Sequence, residues 1–193
     1  MNKRITVFII HGSFGHPQEN WFPWLKSELE KLGCDVFIPK FPTPENQSLD
    51  TWLNIFEEYS KHLDENSIII GHSLGPAFLL RIIEKLSHQI KAAFFISGFV
   101  RLYGVPQFDN VNRTFVSAPF DWRRIRQNCK IFRVFHSNND PYVPLDCGKE
   151  LAGNLETELI LVTGAGHFNE SAGYTRFDLL LDEIKRELVR KRN

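Results

Sequence analysis

The 193-residue chain has few cysteines, no excess of either charge and no long apolar run. Its three cysteines, Cys34, Cys129 and Cys147, are odd in number and far apart, and they form neither a CxxC motif nor a zinc-like spacing with histidine. We therefore expect reduced thiols, and neither a disulfide framework nor a structural zinc site.

The charge balance gives no reason to expect nucleic acid as a partner. Lys and Arg number 23, and Asp and Glu also number 23. The basic segments "RRIR" (123–126) and "KRELVRKRN" (185–193) both fall in predicted helices, where cations complement the helix dipole or cover a solvated face. We predict no nucleic-acid binding.

Membrane and export signals are also missing from the sequence. The start "MNKRITVFII" has neither a long apolar core nor a small-residue cleavage pattern. No apolar run approaches the roughly 18 residues that a membrane span needs. We predict a cytoplasmic protein without a membrane span.

What the chain does have is enough apolar material for one ordinary domain. Hydrophobic residues make up 42% of the sequence and aromatic residues 13%, which is typical of a soluble globular protein. The length is sufficient to bury a sizeable core. We predict a single domain over residues 1–193.

Short β-branched segments alternate with longer amphipathic ones, which indicates strand and helix units in a mainly parallel sheet. The predicted strands are 4–10, 35–39, 67–71, 90–97, 130–137 and 158–163. The predicted helices are 24–33, one capped by Ser48, 76–86, one that contains 123–126, 146–155 and one through 177–188. Residues 98–120 show no sustained period and stay unassigned, and loops of such length are often functional.

Six strands with right-handed crossovers predict a three-layer α/β/α sandwich with strand order 2-1-3-4-5-6. In that order the loops after strands 1 and 3, "HGSFGH" and "GHSLG", separate and leave a crevice at the carboxyl edge of the sheet.

The segment "GHSLG", 71–75, matches G-x-S-x-G between a predicted strand and a predicted helix. A serine at such a turn is forced toward positive φ, and glycines at 71 and 75 relieve the crowding around it. The motif therefore predicts Ser73 as a nucleophile, although a glycine-rich turn with an inert serine would look the same.

The partners of a nucleophilic serine should follow in the order acid, then histidine. "NNDPYVP" places Asp140 in a turn after the fifth strand, and "GAGHFNE" places His167 in a loop after the sixth. Taken alone, Asp140 could be an ordinary turn residue and His167 an ordinary surface residue. Taken together with Ser73, they predict a catalytic triad. The alternatives are Asp109, Asp121 and Asp146 as acids and His136 as base.

Backbone amides should hold the oxyanion. The Leu74 amide opens the helix after the nucleophile, and the second donor is predicted from Ser13 or Phe14. His11 and His16 could suggest a metal site, but no third ligand stands at a suitable spacing, so none is predicted. Candidate pocket residues are His11, Gly12, Trp21, Phe22, Phe99, Tyr103 and Phe108.

Together with "VFIIHG", "NWFPWLKSEL", "FPTPENQSLDTW" and "FFISGF", these motifs resemble the α/β-hydrolase superfamily. Within it they are similar to the small serine-hydrolase family that includes retinoblastoma-binding protein nine and the bacterial YdeN proteins. The resemblance covers essentially the whole chain. It implies a compact hydrolase fold, with Ser73 as nucleophile, Asp140 as acid and His167 as base, and no cofactor.

The function predicted from these residues is a carboxylesterase-like serine hydrolase that cleaves a small ester, amide or thioester through an acyl-enzyme intermediate. The alternatives are a hydrolase-fold protein that acts mainly by binding another protein, and a lyase or acyltransferase that uses the same triad. A small acyl compound is the expected substrate, a protein partner is possible, and the sequence does not reveal the oligomeric state.

Overall fold

A six-stranded parallel sheet runs through the computed structural model, which describes residues 4–189. The strands, in chain order β1 to β6, are Thr6–Ile10, Asp35–Phe37, Ile68–His72, Ala92–Ile96, Phe132–Ser137 and Leu159–Val162. Their order in the sheet is β2-β1-β3-β4-β5-β6, and all neighbouring pairs are parallel. The predicted strand order is confirmed.

Helices connect the strands. In chain order, α1 to α7 are Phe22–Lys31, Leu49–Ser60, Gly75–Ile83, Pro106–Val116, Trp122–Asn128, Leu145–Asn154 and Asp178–Val189. The segment 123–126 lies in α5 as predicted, whereas residues 190–193 of the basic C-terminal segment lie outside the described residues. Within 4–189, no helix combines the length and apolar character that crossing a membrane would require.

The two faces of the sheet carry separate apolar cores. Side chains alternate between the faces of a strand, so Phe8 and Ile10 of β1 join one core while Val7 and Ile9 join the other. The first core contains residues of α2, α3, α4, α5 and α6, and the second contains residues of α1 and α7. The three-layer sandwich is confirmed.

Local signals explain why α2 forms where it does. The hydroxyl of Ser48 accepts a hydrogen bond from the Thr51 amide at 3.1 Å, which caps the first turn as predicted. The predicted apolar stripe packs on the first core, with Trp52 and Phe56 buried. This helix is a core element of the fold.

The segment 98–120 contains a helix that the periodicity did not predict, α4. Its buried residues are Asp109, Asn112 and Phe115, so two of the three buried positions are polar and the apolar period is broken. Pro106 in the first turn was the available signal, because proline is favoured there. The segment is therefore not one long loop.

A buried arginine fixes α4 against α3. The guanidinium of Arg81 donates hydrogen bonds to the carbonyls of Phe115 at 3.0 Å and Pro119 at 3.1 Å. It also lies 3.7 Å from the centre of the Phe120 ring. These contacts hold the end of α4 on the helix that follows Ser73.

Candidate active site

Ser73 lies in a sharp turn between β3 and α3. Its φ is +60°, in the left-handed region that non-glycine residues avoid, and its amide donates to the carbonyl of Ile96 at 2.9 Å. A Cβ at position 75 would lie 2.5 Å from the carbonyl oxygen of Ile10, and one at position 71 would lie 2.6 Å from the nitrogen of Pro76. The predicted need for glycine at both positions is met in the structure.

Gly75→Ala is expected to lower the free energy of unfolding by about 1–3 kcal/mol, because the new methyl group would press on backbone that cannot move away cheaply. Gly153→Ala is the matched control, because a Cβ at that position in α6 would meet nothing within 4 Å. That change should be neutral or stabilise by about 0.4–1 kcal/mol. Urea unfolding of both variants measures the difference, and equal effects would contradict the close packing at position 75.

Asp140 and His167 are in direct contact. The Nδ1–H of His167 donates to the Asp140 carboxylate, with distances of 2.8 Å to Oδ2 and 3.0 Å to Oδ1. Oδ1 also accepts from the amides of Tyr142 at 2.9 Å and Val143 at 3.0 Å. Burial opposes ionisation of Asp140, but these bonds outweigh it and hold its pKa below the ordinary value.

The alternative acids have other partners. Asp109 and Asp121 each accept hydrogen bonds from backbone amides of their own segments, and Asp146 pairs with Lys149 at 3.2 Å within α6. The structure thus pairs His167 with the acid that the chain order predicted.

The alternative base, His136, is fully buried beneath Asp140. Its Nε2–H donates to the Val143 carbonyl at 3.0 Å, and this nitrogen lies 4.0 Å from Asp140 Oδ2. Burial lowers the pKa of His136. It supports the turn that carries Asp140 and does not line the cavity described below.

Three polar side chains at the end of β5 hold the loop that carries His167. Oxygens of Asn138, Ser137 and Asn139 accept hydrogen bonds from the successive amides of 164–166, at 2.9, 3.0 and 2.8 Å. Sequence reasoning missed these residues, although the run "SNN" before Asp140 was visible. They fix the spacing between the acid and histidine loops.

His72 and His11 are buried and uncharged. The Nε2–H of His72 donates to the carbonyl of His167 at 2.7 Å, and burial lowers the pKa of His72 to about 3. His11 donates to the Gly12 carbonyl at 2.8 Å and accepts from the Phe41 amide at 3.1 Å. Burial lowers the pKa of His11 to about 4. His11 is therefore a core residue and not a pocket wall, which corrects the sequence prediction.

These lowered pKa values predict acid lability. Unfolding returns His11 and His72 to an ordinary pKa near 6.5, so the unfolded state binds more protons below that pH. The stability is fully present above about pH 6.5 and is lost as the pH falls toward the folded-state values. Between about pH 7 and about pH 5, we expect a loss of roughly 2–4 kcal/mol in the free energy of unfolding.

Denaturant unfolding across this pH range measures the loss, and His16→Gln provides the control because His16 is exposed. That variant should show nearly the same slope as the parent, because burial, and not the charge of His16, is the largest cause of the lowered pKa of His11. A stability that stays level down to about pH 5 would contradict the buried neutral state of the two histidines.

The loop after β1 is fixed by a polar network. The Phe14 amide donates to the hydroxyl of Thr43 at 2.6 Å, and that hydroxyl donates to Gln47 at 2.6 Å. The Gln47 amide group donates to Ser13 Oγ at 2.9 Å, and Ser13 Oγ donates to Asn112 at 2.5 Å. The Phe14 amide, one of the two predicted oxyanion donors, is therefore already engaged.

A cavity of about 310 Å³ lies where these loops meet. Its lining includes Ser73, His167 and five other predicted residues, namely Gly12, Ser13, Phe14, Tyr103 and Phe108. It also includes residues that sequence reasoning missed, namely Gly15, Glu19, Asn20, His72, Gln107, Asn112, Tyr142 and Asn169. The predicted nucleophile and base therefore share one cavity, while Asp140 and Leu74 are not part of its lining.

Three predicted pocket walls are core residues instead. Trp21, Phe22 and Phe99 are fully buried and do not line the cavity. Trp21 packs edge to face against Phe22 at 4.7 Å between ring centres, and its indole N–H donates to the carbonyl of Phe168 at 2.9 Å. Aromatic residues near a predicted crevice were mistaken for its surface because sequence does not show which way a side chain points.

No group of three or more histidine, cysteine, aspartate or glutamate side chains is placed to hold a metal ion within residues 4–189. The three cysteines are free and buried, and burial raises the pKa of Cys147 to about 11 and that of Cys129 to about 12. These thiols are poor nucleophiles where they lie.

Comparisons with known proteins show which family the chain belongs to. The family model described as "Serine hydrolase" matches residues 7–186. YdeN of Bacillus subtilis (strain 168) is 33% identical over 180 residues, covering 92% of this chain and 93% of YdeN. "Serine hydrolase RBBP9" of Rattus norvegicus is 32% identical over 172 residues, covering 88% of this chain and 87% of that protein. The crystal structure of the B. subtilis ydeN gene product superposes with a TM-score of 0.90 at 30% identity, covering 97% of this chain and all of that one.

Proposed function

Because the chain belongs to the serine hydrolase family, we propose that it cleaves a small ester, amide or thioester, with Ser73, His167 and Asp140 as its catalytic triad. The observation that carries this proposal is the cavity shared by Ser73 and His167, with Asp140 bonded to the far nitrogen of the histidine ring. We further propose that residues 1–193 act as one domain.

In the proposed reaction, the Nε2 of His167 takes the proton of Ser73 as the serine oxygen attacks a carbonyl carbon. The hydrogen bond from Nδ1–H to Asp140 fixes the tautomer that leaves Nε2 free to accept this proton. Asp140 also stabilises the imidazolium that forms. His167 then protonates the leaving group, and water repeats the attack on the acyl-enzyme.

The oxyanion is proposed to bind two backbone amides. The Leu74 amide stands at the start of α3, where helix N–H groups have no partner within the helix. The Ser13 amide belongs to the loop that approaches Ser73, since a Cβ on Gly12 would lie 2.6 Å from the Cβ of Ser73. Each such donor is worth on the order of 10²- to 10³-fold in rate.

The cavity supports an acyl group of modest size with an apolar or aromatic part. Its volume is at the lower end of the range for small-molecule sites. Three aromatic rings, those of Phe14, Phe108 and Tyr142, form a strip toward His167. The distances between ring centres are 6.0 Å from Phe14 to Phe108, 5.9 Å from Phe108 to Tyr142 and 5.1 Å from Tyr142 to His167. Phe14 is 45% exposed, which leaves its ring available to a substrate.

A competitive activity-based profile tests the proposal. The purified protein is treated with a fluorophosphonate probe in the presence of short esters, amides and thioesters, and the compounds that slow labelling define the substrate class. We expect labelling of the parent protein and none of Ser73→Ala. A well-folded parent protein that refuses the probe would overturn the hydrolase proposal and favour a protein that acts by binding.

A further inference from the structure

The charge of the cavity lining is one-sided. Glu19 is the single carboxylate among the described residues that line the cavity, and no lysine or arginine is among them. Two histidines, His72 and His167, also line the cavity. His72 is buried and neutral. A second carboxylate, Glu170, acts electrostatically on Glu19 with the same sign.

Glu19 is held in the lining and partly withdrawn from water. Its side chain is 22% exposed, and its nearest ion-pair partner is the exposed His16, with 3.9 Å between Nε2 and Oε2. A Cβ at position 15 would lie 2.5 Å from the carboxylate oxygen Oε1, so the glycine there gives this carboxylate its room. With that side-chain exposure, water solvates the carboxylate only in part. Burial accordingly raises the pKa of Glu19, and the charges of His16 and His167 and a backbone hydrogen bond at His16 oppose this rise only in part.

Incomplete solvation favours a cationic ligand at this carboxylate. A carboxylate that has lost part of its water regains stabilisation from a nearby cation, because Coulomb attraction is screened less where water is scarce. The rings of Phe14, Phe108 and Tyr142 line the same cavity, and aromatic faces also attract ammonium groups. An anionic substrate would meet only repulsion from Glu19.

We propose that Glu19 forms a subsite for an ammonium group, so that the preferred substrates are esters, amides or thioesters that carry a positively charged amine. This inference rests on the proposed hydrolase function and names the substrate class of the same cavity. The cation lies on the acyl part or on the leaving group, and the two cases are separated by the substrates used in the test.

The test compares isosteric pairs in the parent protein and in Glu19→Gln. The acyl pair consists of esters of trimethylammonioacetate and of 3,3-dimethylbutanoate with the same alcohol, and the leaving-group pair consists of choline and 3,3-dimethylbutyl esters of the same acid. Quaternary nitrogens keep their charge at every pH. The assay is run at about pH 8, above the usual titration of histidine.

In at least one pair, we expect Glu19→Gln to lower kcat/KM for the cationic ester about tenfold, because the variant loses the Coulomb attraction between the carboxylate and the quaternary nitrogen. The neutral ester should change by less than about twofold. An equal loss for both members would mean that Glu19 acts on His167 or on the loop, and no loss in either pair would mean that it has no contact with substrate. Both results overturn the proposal.

A binding measurement keeps this test separate from the hydrolase proposal. Benzyltrimethylammonium is titrated into Ser73→Ala and into Ser73→Ala/Glu19→Gln, and we expect about tenfold weaker binding to the second. Glu158→Gln in the Ser73→Ala protein is the control, because Glu158 is exposed and precedes β6 at the opposite edge of the sheet. Unchanged binding without Glu19 overturns the subsite, even if Ser73 reacts with the probe.

Discussion

Ser73→Ala is expected to lower kcat by about 10⁵- to 10⁶-fold, the largest effect of any single substitution in this protein. Alanine removes the oxygen that forms the acyl-enzyme, while the positive φ at this position and the packing of Gly71 and Gly75 are kept. The residual rate would come from the oxyanion donors and from substrate binding alone. Steady-state hydrolysis of the best ester from the competitive profile gives the measurement.

His167→Ala should cost nearly as much as Ser73→Ala, and the double variant should lose little more, because the two groups serve one proton transfer. The control is Ser60→Ala, which removes an exposed hydroxyl at the end of α2. Losses that add in the double variant would show that the two side chains act in separate steps and would contradict the assigned roles.

Asp140→Asn is expected to lower kcat by about 10⁴-fold while the fold is retained. The asparagine oxygen can still accept hydrogen bonds from the amides of Tyr142 and Val143, which lie 2.9 and 3.0 Å from Asp140 Oδ1 in the parent protein. Its NH₂ group would then face Nδ1 of His167 and donate to it, which moves the ring proton to Nε2. In that tautomer, Nε2 cannot accept the proton of Ser73.

Circular dichroism and urea unfolding verify that the Asp140→Asn protein is folded, and ester hydrolysis measures its activity. Asp182→Asn, which changes an exposed carboxylate on α7, should retain full activity. If Asp140→Asn is as active as the parent protein, a different acid serves His167, and the assignment based on chain order is wrong.

The sequence predicted the fold class and strand order because each of its signals is local. The continuous apolar run of β1, the cap at Ser48 and the glycine with positive φ at position 33, just after α1, depend on neighbours within a few residues. The family resemblance predicted from the motifs is likewise confirmed by the comparisons. The α4 helix was missed because Asp109 and Asn112 occupy buried positions that a periodicity argument assigns to apolar residues.

In the candidate site, too, the sequence predicted some features and missed others. Sequence placed Ser73, Asp140 and His167 in loops at one edge of the sheet, because parallel strands bring their carboxyl ends together, and the catalytic roles of these residues stay a proposal until tested. It did not show the direction of individual side chains, so Trp21, Phe22, Phe99 and His11 were assigned to a pocket in which the structure does not place them.

The sequence by itself determined the order of the strands, the serine turn with its glycines and the loops that carry the acid and the histidine. Only the tertiary structure decided that Phe14 donates its amide to Thr43, that the "SNN" side chains hold the His167 loop, and that Glu19 lines the cavity. These contacts join residues that are far apart in the chain or whose direction depends on packing. Local periodicity cannot predict these contacts, because they form only when the loops meet at the edge of the sheet.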